Sequence, residues 1–190
     1  MPDNYLKIQW AVDNASVGDT IIVRDGTYTE NVYVNKSHLT IQSENGSENC
    51  IVQAANADAP VFEVTADYTN ISGFTLEKKR YGWSDIYLYY ADHCKITNNK
   101  CSYNELGDIW LSNSNNNSIS NNSCLSNSRF GIVLSFSTNN ILTGNTIHSG
   151  IHIEGNSLSD YSQEIDESNT VNGKPVYYWK DVEGGRVLDG

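Results

Sequence analysis

The chain has 190 residues, 38% of them apolar, and its 23 acidic against 12 basic side chains give a formal charge of −11. That length suffices for one buried core and demands no second one, and the charge excludes an ordinary nucleic-acid binder, which needs a basic stripe for phosphates. No apolar run is long enough to span a membrane, and no secretory core follows Met1-Pro2, so no membrane insertion is expected.

Residues 3–15 open the chain with Leu6, Ile8, Trp10 and Val12 at a spacing that predicts a short amphipathic helix capped by Asp3 or Asn4. Its expected role is to lie over an exposed sheet edge that would otherwise invite aggregation. Val17-Gly18-Asp19 turns into a strand, Thr20–Val23; Asp25-Gly26 turns again, and short strands are expected at Val32–Val34, Leu39–Ile41, Ile51–Gln53 and Val61–Val64.

From Asn70 to Gly155 one pattern recurs. Ile96, Ile119 and Leu142 are 23 residues apart, as are Asn99, Asn122 and Asn145, and Cys101, Cys124 and Ile147; Ile86-Tyr87-Leu88 returns as Ile109-Trp110-Leu111 and Ile132-Val133-Leu134. Ile71 and Leu76 open a slightly longer copy, with Phe74 in the asparagine position. A period near 23 built of short strands, Gly and Asn signals a solenoid. It lacks the fixed leucines and helical segment of a leucine-rich repeat, and is too short for helical repeats. A parallel β-helix of about six to seven coils remains, with equivalent residues stacked about 4.8 Å apart. Alternation then turns Ile86 and Leu88 inward and Tyr87 outward. The column Asn99/Asn122/Asn145 reads as an amide ladder along the axis. Cys101 and Cys124 fall in an inner column and read as small core residues rather than a disulfide; with Cys50 and Cys94 they form no C-x-x-C pair, so no metal knuckle is expected. The whole chain, 1–190, is expected to be one domain: a cap at 3–15, coils over 20–155, and a segment 156–190 that forms a seventh coil, through Ile165, Val171 and Val176–Trp179 with Pro175 at its start, or folds over the open end. Val187-Leu188-Asp189-Gly190 looks like the start of a further coil, so the chain is expected to be part of a longer protein.

At residues 8–37, I-Q-W-A-V-D-N-A-S-V-G-D-T-I-I-V-R-D-G-T-Y-T-E-N-V-Y-V-N-K-S, the chain resembles the opening segment of right-handed β-helix proteins of the pectin-lyase-like superfamily. N-T-V-N-G-K-P-V-Y-Y-W, residues 169–179, together with the Asn-rich coils, is similar to the NosD-type subgroup, abundant in archaeal cell-surface proteins. The resemblance implies a right-handed parallel β-helix in an extracellular setting. It implies no single activity, because the superfamily mixes lyases, hydrolases, epimerases and non-catalytic proteins. The subgroup takes its name from a periplasmic protein linked to copper-site maturation, and no copper motif carries over.

Two constellations could carry chemistry. Asp85 and Asp108 precede the inward Ile of equivalent strands, which places the carboxylates about 5 Å apart on adjacent coils. Such a pair shares a proton, binds a cation such as calcium, sits in water, or serves as the acids of a retaining glycosidase. Lys78, Lys79, Arg80 and Arg129 lie in the loops that lead into these strands. The plainer reading is that Asp is a common turn residue, and the polygalacturonase signatures N-T-D and G-H-G are missing, as is the pectate lyase pattern. Tyr87 and Trp110, continued by Val133 and His152, form an outward column with Tyr89 beside it and Tyr81 and Trp83 in the preceding loop. Aromatics there suit stacking on sugar rings or packing on a protein, unless the chain's own loops cover them. His93, His148 and His152 read as structural. Six sequons, at Asn14, Asn35, Asn45, Asn70, Asn116 and Asn121, fit a glycosylated surface protein.

The expected function is therefore a non-catalytic extracellular or cell-surface module that binds a glycan or a neighbouring envelope protein through the aromatic strip and requires no cofactor. The alternatives are a polysaccharide lyase or glycoside hydrolase centred on Asp85 and Asp108 with Arg80 or Arg129, and a passive spacer.

Overall fold

A computed structural model describes residues 5–78, 83–102, 104, 106–125 and 129–180. Three sheets run the length of the molecule. Sheet A holds seven strands, from Thr20–Val23 to Glu164–Ile165, and sheet B eight, from Gly26–Thr29 to Lys174–Pro175. Sheet C holds six: Val32–Val34, Phe62–Val64, Ile86–Tyr89, Gly107–Ser112, Phe130–Ser135 and Ile151–Glu154. Within each sheet consecutive members belong to consecutive coils and pair in parallel, apart from the last pair of sheet B, so the chain visits A, B and C in turn and starts again one strand further along.

The 23-residue period becomes vertical register. Ile71, Ile96, Ile119 and Leu142 are partners in sheet A. Leu76, Cys101, Cys124 and Ile147 are partners in sheet B, and Ile86, Ile109, Ile132 and Ile151 in sheet C. Nearly all of these side chains are buried; they form one continuous apolar column that excludes water. The four cysteines are free and buried, as small core residues.

The corners hold the coils in register. Asn122 Oδ1 accepts from the backbone N–H of Asn99 at 3.0 Å, Asn145 Oδ1 from that of Asn122 at 3.0 Å, and Asn169 Oδ1 from that of Asn145 at 3.2 Å. Phe74, which opens the column, gives its N–H to Asn99 Oδ1 at 3.1 Å. A second ladder with the same period runs at the corner between sheets C and A: Cys94 N–H to Asn117 Oδ1, Asn117 N–H to Asn140 Oδ1 and Asn140 N–H to Gln163 Oε1, at 2.7, 2.8 and 2.9 Å. Each amide satisfies a buried peptide group that the bend removes from the sheet ladder. The residues that precede Asn99, Asn117, Asn122 and Asn140 take the left-handed conformation: Asn98, Asn116, Asn121 and Asn139 have φ of 55° to 57°, where asparagine is tolerated best among residues with a side chain.

Three expectations are corrected. The helix is shorter than 3–15, running Ile8–Asn14, and only Ile8 and Val12 are buried; Leu6 and Trp10 face solvent. Its first turn is capped from another coil. Glu30 accepts from the N–H groups of Ile8 and Gln9 at 3.0 and 2.9 Å, whereas Asp3 and Asn4 lie outside the described residues. Gly26, read as a turn, begins a strand, Gly26–Thr29, that founds sheet B. In the last segment Glu164–Ile165 and Thr170–Val171 extend sheets A and B, but Lys174–Pro175 folds back antiparallel on Thr170–Val171, so Val176–Trp179 adds no strand to sheet C. Proline has no N–H to give a ladder, and Asn172-Gly173, both at positive φ, make the reversal.

Candidate functional site

The outward positions of sheet C form a column, Tyr33–Glu63–Tyr87–Trp110–Val133–His152, fixed by strand register. Alternation within Ile86–Tyr89 turns Tyr87 and Tyr89 to the same side. Their rings lie 5.8 Å apart and nearly parallel, at 21°. Trp83, from the segment before this strand, sits over Trp110 at 5.8 Å and 29° and meets the edge of Tyr87 at 5.5 Å. Tyr87 and Trp110 touch edge to face at 6.0 Å. Four of the five residues singled out in the sequence are thus in mutual contact on one face; Tyr81 lies outside the described residues.

Tyr90 joins them unexpectedly. Strict alternation would send it inward, but the strand ends at Tyr89 and a φ of 50° turns Tyr90 outward, 4.6 Å from the Tyr89 ring. Trp83, Tyr89 and Tyr90 are 43%, 41% and 60% exposed, while Trp110 and Tyr87 beneath are half-buried. Val133 is buried, so the exposed aromatic run stops at Trp110 and does not reach His152, which stacks instead on Phe130 at 4.5 Å. The indole N–H of Trp110 is buried without a hydrogen-bond partner among the described residues. Such a ledge offers flat apolar area and polar edges together, the combination that accepts a sugar ring or a partner side chain.

The carboxylates behave differently. Asp85 and Asp108 are fully buried, so the reading in which they sit in water is corrected. The regular alternation of sheet C breaks at this corner. The equivalent position one coil on is Gly131, where an added Cβ would stand 2.5 Å from Ile147 and 3.1 Å from Cys124, and one coil back it is the buried Val61. The column Val61–Asp85–Asp108–Gly131 therefore faces the interior. A single donor, Asn104 Nδ2, reaches both acids, at 2.8 Å from Asp85 Oδ2 and 2.6 Å from Asp108 Oδ1. Asp85 also accepts from the Ser102 N–H at 3.0 Å, and its other oxygen has no hydrogen-bond partner among the described residues.

Burial pushes the Asp85 carboxyl up to about 7, against the opposing pull of Asn104, Lys78 and the Ser102 N–H. The thiols of Cys101 and Cys124 are raised well above their ordinary value, by burial first and then by the neighbouring carboxylates. Lys78 is lowered by burial, partly offset by Asp85 and Asp108, and donates to the carbonyls of Ala59 and Ser84 at 3.0 and 2.9 Å. Among the described residues Lys78 is thus the cation that acts on Asp85. Arg129 is exposed at the residue before Phe130–Ser135, and Lys79 and Arg80 lie outside the described residues. Asn104, which the sequence reading passed over because it belongs to no periodic column, is the residue that joins the acids. Donors facing the pair fit a shared or trapped proton; a calcium ion would want six to eight oxygens instead.

Comparison with known proteins adds family and fold. Residues 12–187 match the family described as "Periplasmic copper-binding protein (NosD)". A cell surface glycoprotein of Methanothermus fervidus is 40% identical over 97 residues, half of this chain, and the match spans 15% of the glycoprotein's length. A pectin methylesterase variant crystallised with a hexasaccharide superposes with a TM-score of 0.55 at 10% identity, over 89% of this chain and 75% of the other, which is agreement of fold. The described residues do not fit a copper ion: no three His, Cys, Asp or Glu side chains among them come together to hold a metal, and the neighbouring thiols of Cys101 and Cys124 are sealed in the core. Among the described residues, no helix is long and apolar enough to cross a membrane. With the family matched from one end of the solenoid to the other, the chain has the right-handed β-helix fold of the pectin-lyase-like superfamily and belongs to the NosD family.

Proposed function

We propose that this chain is a non-catalytic module of a cell-surface protein and binds glycan along the ledge formed by Trp83, Tyr87, Tyr89 and Trp110, extended by Tyr90. The observation that carries the reading is the unbroken run of ring contacts on an outward sheet face, with its outermost rings open to solvent. Exposed aromatics packed on one another mark a surface prepared for a partner. The related cell surface glycoprotein supports placement at the envelope. Stacking needs no cofactor. A polyanionic glycan would meet an acidic chain, so calcium bridging is part of the proposal for such ligands.

Catalysis by Asp85 and Asp108 is the weaker reading. A general acid must reach the bond it protonates, and both carboxylates are enclosed and occupied by Asn104. The direct test is titration of soluble glycans against Trp83→Ala and Tyr89→Ala. Both rings are at the surface, so the melting temperature should hold while affinity falls about tenfold or more. Unchanged glycan affinity in both variants would put the glycan elsewhere than on the ledge, and no glycan binding at all would leave a protein ligand or a passive spacer.

A further inference from the structure

We infer that Asn116 and Asn121, and by the same rule Asn35, are N-glycosylated. The chain holds six Asn-x-Ser sequons, and the fold separates them. Asn14 gives its amide back to the Trp10 carbonyl at 2.8 Å, Asn45 gives its amide to the Asp25 carboxylate at 3.1 Å, and half-buried Asn70 gives its own to Thr40 Oγ1 at 3.0 Å. Asn35, Asn116 and Asn121 are exposed, and among the described residues their side-chain amides have no hydrogen-bond partner.

The two N-N-S triplets show how the corner divides its work. In each, the second asparagine, Asn117 or Asn122, is buried in a ladder, while the first stands exposed in the left-handed conformation, the Asn121 side chain lying along Gly144 of the next coil. Backbone N–H groups fix both turns, from Asn116 to Thr138 O and from Asn121 to Thr143 O, each at 3.0 Å. Ser118 and Ser123, the third members, open the next strands and are half-buried. Coils before and after lack the pair: His93 and Asn98 precede these positions, and Asn139 and Gly144 follow, none of them in a sequon. A glycan at each would flank the strand Ser118–Ser120 of sheet A, and neither lies on sheet C.

The reaction needs a transferase and a lipid-linked sugar phosphate as donor. Asn Nδ2 attacks the anomeric carbon, the C–N bond forms as the C–O bond to phosphate breaks, the amide loses one proton, and the lipid phosphate leaves with the bonding pair. The assignment rests on surface placement and not on the ledge. The test is glycopeptide mass spectrometry on the protein from cells that make it, separated into envelope and cytosol. Residues 101–129 form one tryptic peptide with both sites. It should carry whole sugar masses, lost in Asn116→Gln with Asn121→Gln. An unmodified peptide from the envelope fraction overturns the assignment alone; unmodified protein confined to the cytosol overturns it together with the surface reading.

Discussion

Asp85 and Asp108 occupy the same position of successive coils, and the backbone N–H of Asp85 donates to the carbonyl of Asp108 at 2.9 Å while their side chains turn into the core. Burial makes the protonated form of Asp85 the favoured one in the folded chain. Its carboxyl titrates at about 7 when folded against 3.8 ordinarily, so between those values the folded chain keeps a proton that the unfolded chain releases. The stability this group contributes is complete below pH 3.8 and is lost as pH rises through about 7. The melting temperature should therefore fall by several degrees from about pH 5 to about pH 7.5, and Asp85→Asn, a neutral isostere, should flatten that slope. A variant that keeps the slope would place the titration elsewhere.

Asn122 sits mid-ladder. Its Oδ1 serves the Asn99 N–H and amide, and its Nδ2 serves the Ile96 carbonyl at 2.8 Å and Asn145 Oδ1 at 3.1 Å, all buried. Asn122→Ala strands at least two buried backbone groups at about 1–3 kcal/mol each. The urea midpoint should drop by an amount worth about 2–5 kcal/mol with the m-value unchanged. Asn116→Gly, one residue before the other ladder, exposed and free to keep the left-handed turn, should change stability little.

Glu30 caps a seven-residue helix too short to persist alone. Glu30→Ala should cost about 1–2 kcal/mol and appear locally. Amide exchange at Ile8 and Gln9 should speed up about tenfold, and the sheet A amides from Lys95 to Thr143 should keep their protection. Equal loss everywhere would mean that the helix is a structural part of every coil and not a cover for the first.

Periodicity revealed the columns and hid their corners. Ile96, Ile119 and Leu142 were legible because a stacked fold must repeat the same apolar side chain at the same place, and the Asn99 ladder because a buried peptide group must be satisfied at each bend. The direction of Asp85 was not legible, since alternation holds inside a strand and fails where Asp85 and Ile86 both turn inward at a corner. Tyr90 was missed for the related reason that its left-handed φ resets the alternation. The Glu30 cap is a contact across 22 residues with no repeat to announce it. Trp83, Tyr87, Tyr89 and Trp110 were found together because parallel register carries an outward aromatic on one coil next to that of the following coil.

The central claim, binding without turnover along the aromatic ledge, is tested most directly on a single sample. Binding to a panel of neutral and acidic glycans is measured together with the release of reducing or unsaturated ends, with and without calcium. The account predicts saturable binding, weakened by Tyr89→Ala, and no new chain ends. New ends that disappear in Asp108→Asn would contradict it and make the buried acid pair an active site.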